Sequence, residues 1–542
     1  KKMLYHPFKI FFFLFTGIIL FISCNSVNQN DLRIFRYSET TVISSLDPAF
    51  AKNQANIWLI HQIYNTLVET DQHAKIIPSL AKSWKISEDK KEVIFKIRGD
   101  VYFHDHPAFL NGKRRKVTAH DVVYSFKRIM DPRVASPGAW IFQGRIDSIT
   151  PFKAINDTVF VIKLNRPFVQ ILGVLSNKYC SIVPKEAVEF REVSFRQNPC
   201  GSGPFRFFKW QEGQKIILKK NIHYFESDST GTRLPFLDGI EVSLLQNKAS
   251  EFLEFRQKKF DFINDIDPNF KDELLYKNGK LRKEWEGKVI LHTGPYLNIE
   301  YLGILMQGNH ADSLLQIKAF RQAINYGIDR KKLMMYLRNS IGKPAEQGFI
   351  PSGIMGYDSA AQYGYHYAPQ KAIKLLNDAG IVSIHKKPVI RISTVPAYAD
   401  LAVFISTELK NIGIGVKVDV IPKSLLLSQM ANQQVSFFRG SWIADYPDAE
   451  NFMGVFYSKN PSPPNYTRYH NPEFDHLYEK CQIVIDQKER ANIYRQMDSI
   501  VMQDAPVVPL WYDQVIHLIQ PNIIGFHPHP LNLLELRRVR KW

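Results

Sequence analysis

The sequence predicts a large α/β protein with more than one hydrophobic core. The chain has 542 residues, of which 45% are hydrophobic, and that is enough for two or three cores. The clearest unit is a predicted strand Val389–Thr394, a helix Leu401–Lys410 and a strand in which Val416, Val418 and Val420 share one face. A strand, a helix and a strand in immediate succession predict parallel pairing of the two strands.

Elements of both kinds are also predicted earlier in the chain. Val93, Phe95 and Ile97 alternate as in a half-buried strand. Thr118 is a suitable N-cap for a helix whose apolar stripe includes Phe126. Three further strands are predicted in succession, at Phe205–Trp210, Ile216–Lys219 and Ile240–Leu244.

The first thirty residues predict export and a lipid anchor. Three lysines and an apolar run over 10–22 have the pattern of a signal peptide, since the run is too short to cross a membrane comfortably. Ser23-Cys24 then resembles a bacterial lipobox, with Phe21 in place of the usual leucine. We expect residues 1–23 to be a lipoprotein signal peptide, Cys24 to be lipidated and 24–30 to form a tether. An ordinary secretory signal with an incidental cysteine is the alternative.

The formal charge of +18 could indicate nucleic acid or an anionic membrane surface. The lysines and arginines are spread over the whole length, however, with only short clusters at Lys113–Lys116 and Arg537–Lys541. No zinc-finger spacing or RNA-binding aromatic motif accompanies them. We therefore expect a solvated basic surface and no nucleic-acid partner.

Export permits disulfides, and three cysteines follow Cys24. Cys180 and Cys200 are close in sequence and both precede turn-like segments, so we expect a bridge between them. Two unpaired cysteines are the alternative, because a sequence cannot fix connectivity. Cys481 lies in a helical segment and is expected to be a buried free thiol.

Two patterns could be mistaken for chemistry. His104, His106 and His120 lie near two aspartates, but their spacing matches none of the usual zinc signatures, so we predict no metal and no cofactor. The turn Asn198–Phe205 lacks the Lys-Ser/Thr of a phosphate loop and the Gly-x-Ser-x-Gly of a nucleophile elbow. We expect its two glycines to supply unusual backbone angles. No catalytic triad, Cys-His pair or paired-carboxylate motif stands out, so we predict that the protein is not an enzyme. A secreted hydrolase is the alternative.

The stretch 435–452 contains the candidate binding residues. A strand is predicted at Val435–Phe438, and regular structure is expected to end at Arg439-Gly440. Arg439 and Asp445 are six residues apart, so on an extended backbone, spanning at most roughly 20 Å, they project from one face. A zwitterion would fit there, with its carboxylate on Arg439, its ammonium on Asp445 and Trp442 as an apolar wall. The alternative is that the two residues pair with each other or face solvent.

These residues resemble a known family. Arg-Gly-Ser-Trp-Ile-Ala-Asp-Tyr-Pro-Asp, residues 439–448, resembles the R-x-x-W-x-x-D-Y-x-[DE] stretch of bacterial extracellular solute-binding proteins of family 5, the receptors of oligopeptide and dipeptide ABC importers. Asn198–Phe205 resembles the family's N-P-x-G-[TS]-G-P-[YF] turn, and Lys318–Arg330 resembles one of its helices. Six more motifs follow in the family's order, at Ser45–Pro48, Ile63–Val68, Ile77–Trp84, Phe95–Arg98, Val101–Asp105 and Thr118–Phe126.

The resemblance implies a fold and a domain organisation. The fold is the bilobal, periplasmic-binding-protein-like Venus flytrap of type II, cluster C, an α/β fold with an extra small domain. A discontinuous core domain of lobe I would comprise 31–64, 190–295 and 510–542. The small domain II would comprise 65–189, and the α/β domain of lobe II would comprise 296–509.

It also implies a binding mode. Asp445 would take the α-amino group of a peptide, and Arg439 the α-carboxylate of some ligand lengths. The ligand backbone would pair on one side with Gly440, Ser441 and Trp442. On its other side it would pair with the facing segment formed by Lys52, Asn53 and Gln54.

Together these features imply a monomeric, lipid-anchored receptor in the cell envelope, in the periplasm or on the outer face of the cytoplasmic membrane. It would capture oligopeptides and deliver them to the permease of an ABC importer. One departure is Gly138, which follows Ala135-Ser136-Pro137 where oligopeptide-binding relatives carry a tyrosine near the ligand amino end. Ligand length and class therefore stay open. Nickel chelates, haem, glutathione or oligosaccharides are alternative ligands, and an importer-independent peptide chaperone or sensor is an alternative role.

Overall fold

The computed structural model of the protein describes residues 32–381 and 388–542. The predicted signal peptide, the tether and Cys24 lie outside the described residues. Within this part of the chain, no helix combines the length and the apolar character needed to cross a membrane.

The described residues form both strands and helices. The strands are β1 Ile34–Glu39, β2 Val68–Thr70, β3 Ile76–Pro78, β4 Ala81–Ile86, β5 Glu92–Ile97, β6 Phe152–Asn156, β7 Val159–Lys163, β8 Phe205–Gln211, β9 Lys215–Lys220, β10 Gly239–Leu244, β11 Phe262–Asn264, β12 Ile290–Ile304, β13 Lys343–Pro344, β14 Val389–Thr394, β15 Gly415–Val420, β16 Phe437–Ile443, β17 Val507–Ile519, β18 Ile523–Ile524 and β19 Arg540–Lys541. The helices are α1 Gln54–Ile63, α2 Ala119–Met130, α3 Ile171–Leu175, α4 Lys185–Val188, α5 Lys248–Arg256, α6 Pro268–Leu274, α7 Ser313–Gln316, α8 Lys318–Gly327, α9 Arg330–Arg338, α10 Pro369–Asp378, α11 Ala399–Asn411, α12 Lys423–Ala431, α13 Glu450–Met453, α14 Pro472–Cys481 and α15 Gln487–Asp504.

One mixed sheet of eleven strands runs through the whole molecule in the order β15-β14-β16-β12-β17-β11-β1-β10-β9-β8, with β13 paired to β17. β14 and β15 are parallel, as the sequence predicts, and so are β1 and β10. A separate four-stranded sheet, β4-β5-β7-β6, packs against α2 and forms the small domain.

Two long strands connect the two lobes. The first half of β12, up to Pro295, pairs with the end of β17 in the first lobe, and its second half pairs with β16 in the second lobe. The ladder between β12 and β17 is interrupted by a register shift between Pro295 and Ile299. The domain boundaries predicted at 295/296 and at 509/510 both fall inside these strands.

Each lobe has its own hydrophobic core. One cluster joins the first lobe to the small domain, and the fully buried Trp58, Phe95 and Phe126 belong to it. In the second lobe, apolar clusters cover both faces of the central strands. Tyr301 contributes to the cluster on one face, and Leu302, the next residue, to the cluster on the other, as the alternation of a strand requires.

Several predicted elements are confirmed, with shifted ends. The helix after Thr118 begins with Asp121 accepting hydrogen bonds from the Thr118 backbone N–H and hydroxyl group, at 2.9 and 3.0 Å. The strand expected to end at Phe438 is an exception. It continues as β16 to Ile443, because β12 pairs with it residue by residue over that length.

The glycines of the turn Asn198–Phe205 do not have the unusual backbone angles that we expected. Neither Gly201 nor Gly203 has a positive φ. Both are instead required by close approach to the end of α1. A Cβ at Gly201 would lie 2.1 Å from the carbonyl oxygen of Ile63, and a Cβ at Gly203 would lie 2.5 Å from that of Gln62.

The predicted disulfide is wrong, because Cys180 and Cys200 are both free and buried. The Cys180 thiol lies 3.9 Å from the carbonyl oxygen of Val174, and the Cys200 thiol lies 3.5 Å from that of His104. Burial raises the pKa of both thiols well above their usual range, which keeps them protonated. Proximity in sequence did not bring the sulfurs together. Cys481 is a buried free thiol, as predicted.

A buried charge cluster ties the end of the chain to the first lobe. The Arg537 guanidinium bonds Glu69 at 2.9 Å, Glu226 at 3.0 Å and Glu535 at 3.2 Å. Only 9% of the Arg537 side chain and 4% of the Glu69 side chain are exposed. One arginine therefore bonds three carboxylates that come from distant parts of the sequence.

Candidate functional site

The candidate site is built around an open edge of β16. This strand lies between β12 and β14 in the main sheet. β12 pairs with it along its whole length, whereas β14 pairs with it only at Ser393 and Phe438. From Arg439 to Ile443, in the part of the chain that the structure describes, the edge on the β14 side has no strand partner. Such an edge can accept an extended peptide through main-chain hydrogen bonds.

Asp445 lies just past the end of β16. Its main-chain carbonyl oxygen accepts a hydrogen bond of 3.1 Å from the Asn177 side chain, which belongs to the small domain. Water still reaches the side chain, yet the surrounding protein removes enough solvent to raise the pKa of this carboxyl above its usual value. Asn451 and Arg145 act in the opposite direction. No salt bridge to Asp445 is formed by the cations that the structure describes.

One side chain, Asn451, fixes the turn between Trp442 and Asp445. Its amide oxygen accepts a hydrogen bond of 2.9 Å from the Trp442 indole N–H and a long one of 3.4 Å from the Asp445 backbone N–H. The indole is partly buried against the core of the second lobe. The Asn451 side chain therefore fixes the orientation of the Trp442 indole, whose role as an apolar wall for a ligand stays a prediction.

Arg439 neither pairs with Asp445 nor faces solvent. Its guanidinium forms a salt bridge with Glu300 on the neighbouring β12, and only 13% of the Arg439 side chain and 3% of the Glu300 side chain are exposed. The guanidinium also stacks on the ring of Tyr398, 3.7 Å from the ring centroid. Burial, with help from Asp513, raises the pKa of Glu300 to about 7, although Arg439 opposes the shift.

The two residues between Arg439 and Trp442 are placed by β12. Gly440 lies under the ring of Tyr301, and a Cβ at this position would be 2.8 Å from the Tyr301 Cζ. Any larger residue would require the Tyr301 ring to move. Ser441 is directly opposite Glu300 in the ladder and faces the same side of the sheet.

The facing segment, Lys52 to Gln54, is not an extended edge. Lys52 is exposed in a loop, Asn53 caps α1 with its side chain accepting from the Asn56 N–H at 2.9 Å, and Gln54 is the first residue of that helix. The Gln54 amide donates a hydrogen bond of 2.7 Å to the carbonyl oxygen of Asn532. Pairing of a ligand backbone with this segment stays a prediction, although Asn53 has strand-like angles.

The structure explains why position 138 is a glycine, which the sequence alone did not show. It is buried under Tyr179, and a Cβ at Gly138 would lie 2.4 Å from the ring carbon Cγ of that residue. Burial raises the pKa of the Tyr179 phenol to about 12, and the negative charge of Asp445 adds to the shift. The side chain missing at Gly138 thus leaves room for another tyrosine near Asp445.

The small domain and the second lobe are in contact across the cleft. The Val169 N–H donates to the carbonyl oxygen of Gln482 at 3.1 Å, and the Gln170 amide donates to the Tyr494 hydroxyl group at 3.2 Å. The ring of Tyr446, the residue after Asp445, is buried in the cluster shared by the first lobe and the small domain. The lobes are closed over the turn that carries Asp445.

The sequence did not single out Glu300, Tyr398 or Asn451. Glu300 had one available signal, because it is the one charged residue in the mostly apolar strand segment Leu297–Ile304. A charge in such a segment needs a partner. Tyr398 and Asn451 had no comparable signal in the sequence.

The histidines considered as metal ligands are dispersed. His104 contacts the carbonyl oxygen of Gly203 at 3.0 Å, His106 contacts Asn198 at 2.9 Å, and His120 is an exposed residue near Asp157. Among the described residues, no group of three or more His, Cys, Asp or Glu side chains is arranged to hold a metal ion.

Two closed lobes, long connecting strands and a free strand edge in the cleft define the class of bilobal solute receptors. Residues 75–464 match the family model of bacterial extracellular solute-binding proteins, family 5 (middle), and the chain belongs to this family. The family identified from the sequence motifs is thereby confirmed, and so is the periplasmic-binding-protein-like fold. Members of this family bind substrates outside the cytoplasm.

Characterised relatives cover nearly the whole chain. Heme-binding protein A of Haemophilus influenzae is 26% identical over 488 residues, which is 86% of this chain and 85% of that protein. The dipeptide-binding protein of Escherichia coli is 25% identical, covering 86% of this chain and 87% of its own. The periplasmic oligopeptide-binding protein OppA of Salmonella typhimurium is 24% identical, and the alignment covers 89% of this chain and 88% of that protein.

Solved structures agree on the architecture. The periplasmic binding protein DppA of Helicobacter pylori, in complex with the peptide STSA, is 26% identical with a TM-score of 0.73, covering 94% of this chain and 98% of that one. HbpA2 of Haemophilus parasuis is 22% identical with a TM-score of 0.80, covering 94% of this chain and all of that one, and supports the fold.

Proposed function

We propose that the protein captures oligopeptides outside the cytoplasmic membrane, as a monomer, and delivers them to the permease of an ABC importer. The observation that carries this proposal is the free edge of β16, with Asp445 just past the end of the strand in the closed cleft. Relatives named as oligopeptide- and dipeptide-binding proteins support it, as does the relative solved with a bound peptide.

The edge and the carboxylate suit a peptide for separate reasons. Main-chain hydrogen bonds to the edge recognise any extended backbone and leave side chains free to vary. A ligand ammonium at Asp445 would supply the counter-charge that the described cations do not supply. Such a receptor would bind peptides of many sequences while requiring a free amino end.

Native mass spectrometry of the protein purified from cells tests the proposal. We expect small peptides to be released on denaturation, and we expect calorimetry with synthetic peptides of two to eight residues to show binding. Haem, glutathione and a nickel chelate serve as comparison ligands, because one relative is named a haem-binding protein. Tight binding of one of these, with no binding of any peptide, would overturn the peptide assignment.

We also propose that Cys24 carries the lipid that holds the receptor at the membrane. Growth with labelled palmitate should label the wild type, and Cys24→Ala should abolish both the label and the membrane association. Cys481→Ala is the matched control, since that thiol is buried and should not affect labelling. Label that survives Cys24→Ala would refute the anchor.

A further inference from the structure

The cations of this protein are spread along the sequence, but the fold gathers five of them on one face of the first lobe. The strands β8, β9, β10 and β1 lie side by side in the main sheet. Their inner face, which includes Phe35 and Leu218, is buried in the core shared with the small domain. Their outer face, which we call the basic face, carries Arg36, Arg206, Lys209, Lys215 and Lys219.

The register of the strands places these cations next to one another. Arg206 on β8 is directly opposite Lys219 on β9, and both are exposed. Lys209 is opposite Ile217, and the same row continues across the sheet to Arg36. Like charges on directly opposed residues repel each other. An anion bound over Arg206 and Lys219 would relieve that repulsion.

The carboxylates near the basic face do not cancel its charge. Glu241 is the one carboxylate in its rows, and it bonds Lys215 at 3.3 Å. Three more carboxylates at its margins are already paired, Asp238 with Arg33 at 3.1 Å, Glu212 with Arg196 at 2.6 Å and Glu251 with Lys248 at 2.7 Å. In the part of the chain that the structure describes, the other four cations of the face form no salt bridge.

An exposed phenylalanine projects among these cations. The register of β8 shifts between Phe207 and Lys209, which leaves Phe208 as an extra residue on this edge strand. Phe208 is 49% exposed, and the Lys219 ammonium lies 3.4 Å from the centroid of its ring. An aromatic ring beside lysines suits the boundary between lipid headgroups and acyl chains, where the ring meets apolar groups and the ammonium stays among the charges.

The chain also enters the sheet at this face. Ile34, the first residue of β1, lies in the same row as Arg206 and Lys219. The described chain begins at Leu32, eight residues after Cys24. Even fully extended, eight residues reach at most roughly 30 Å. A lipid on Cys24 would therefore hold this end of the basic face close to the bilayer surface.

We propose that the basic face binds the anionic phospholipid headgroups of the membrane that carries the receptor, with Arg206, Lys209 and Lys219 as its central contacts. The inference uses the proposed lipid anchor and adds to it the orientation of the protein on the bilayer. A bilayer is the favoured partner because the face is a broad sheet surface with an exposed aromatic ring, at the tethered end of the sheet. The small domain, on the opposite side of the sheet, would face away from the membrane.

Sedimentation with lipid vesicles tests the inference. The protein used is the mature chain, residues 24–542, made with Cys24→Ala so that no lipid contributes to binding. Its binding to vesicles of phosphatidylglycerol and phosphatidylcholine in equal parts should be about tenfold tighter, or more, than to phosphatidylcholine alone, and salt should weaken it. Arg206→Gln, Lys209→Gln and Lys219→Gln together should weaken binding to the mixed vesicles about tenfold or more, because three cations near the surface are lost.

The matched control removes three lysines from the outer face of the four-stranded sheet in the small domain, by Lys85→Gln, Lys96→Gln and Lys153→Gln. All three lysines are exposed and form no salt bridge with the described residues. Both triple variants lose the same charge, so the control variant should bind the mixed vesicles nearly as tightly as the wild type. Equal losses in the two variants would overturn the inference, because binding would then follow net charge alone.

Thermal unfolding and peptide calorimetry separate binding from folding, and both triple variants should match the wild type in them. If the Arg206, Lys209 and Lys219 variant does not fold, the three single substitutions decide, and wild-type vesicle binding by all three would overturn the inference. Wild-type protein that binds both kinds of vesicle equally, or neither, would also overturn it and leave the face to an acidic protein partner. Palmitate labelling tests the anchor separately, and loss of labelling with vesicle binding intact would overturn the anchor alone.

Discussion

Replacing Asp445 with asparagine is expected to weaken peptide binding by about 2–5 kcal/mol, the usual effect of removing one partner of an enclosed charged pair. The protein around Asp445 already removes solvent from its carboxyl group, and the described cations form no salt bridge with it. The ligand ammonium would therefore be its main counter-charge. Asparagine keeps the shape and removes the charge.

A four-way comparison makes this prediction specific. Acetylating the peptide amino end should reduce the binding free energy of the wild type by a similar amount. It should reduce the binding free energy of Asp445→Asn little further, since both changes break the same contact. Asp419→Asn is the matched control, because Asp419 is a carboxylate of the same lobe that pairs with Arg391 on β14. If acetylated and free peptides bind the wild type equally well in calorimetry, Asp445 is not an ammonium site.

The same carboxyl should make binding sensitive to acid. Its pKa in the free protein is raised, mainly because the surrounding protein removes part of its solvent, so it takes up a proton at a higher pH than an ordinary aspartate. The ammonium binds the charged form, and affinity is therefore full above this pKa and is lost as the pH falls through it. Asp445→Asn should show no such loss over the same range.

Replacing Arg537 with methionine is expected to destabilise the protein by about 3–5 kcal/mol, because it leaves Glu69, Glu226 and Glu535 without their shared cation. Methionine retains much of the apolar volume, so the loss reports mainly on charge. Urea unfolding followed by tryptophan fluorescence measures the change in the free energy of unfolding.

The pH dependence of this effect has a defined sign. Burial alone would raise the pKa of Glu535, but Arg537 and the hydrogen bond with His61 outweigh it and hold the pKa at about 2. The pKa of Glu69 is likewise lowered overall. These contributions are present above the unfolded pKa of about 4.3 and are lost as the pH falls towards 2. The difference in the free energy of unfolding between the wild type and Arg537→Met should thus become smaller in acid.

Arg540→Met is the matched control for Arg537→Met. Arg540 pairs with Asp228 at 3.5 Å, and 47% of its side chain is exposed, so its loss should cost at most about 1 kcal/mol. Equal costs for the two substitutions at neutral pH would contradict the assigned role of Arg537.

Sequence patterns predicted the elements whose cause is local. The β14–α11–β15 unit and the helix that begins after Thr118 depend on periodicity and capping, which neighbouring residues determine. Asp445 and Trp442 were also selected as candidate binding residues from one short sequence motif. The family resemblance extended this to the bilobal fold.

What the sequence could not predict depends on contacts between distant residues. The partner of Arg439 is Glu300, 139 residues away in the chain, and only the pairing of β12 with β16 brings the two together. Gly138 is small because Tyr179 lies over it. The predicted Cys180–Cys200 disulfide is wrong for the same reason, since nearness along the chain does not determine which side chains meet in a core.

The register shift in β12 has a consequence for how the receptor opens. Between Pro295 and Ile299 the ladder to β17 is interrupted, at the point where β12 leaves the strands of one lobe and joins those of the other. Bending at this point would break few main-chain hydrogen bonds, because few are formed there. We therefore expect the two lobes to rotate as rigid bodies about this point in β12. Release of the cargo would then require only the separation of surfaces at the mouth of the cleft, with both cores intact.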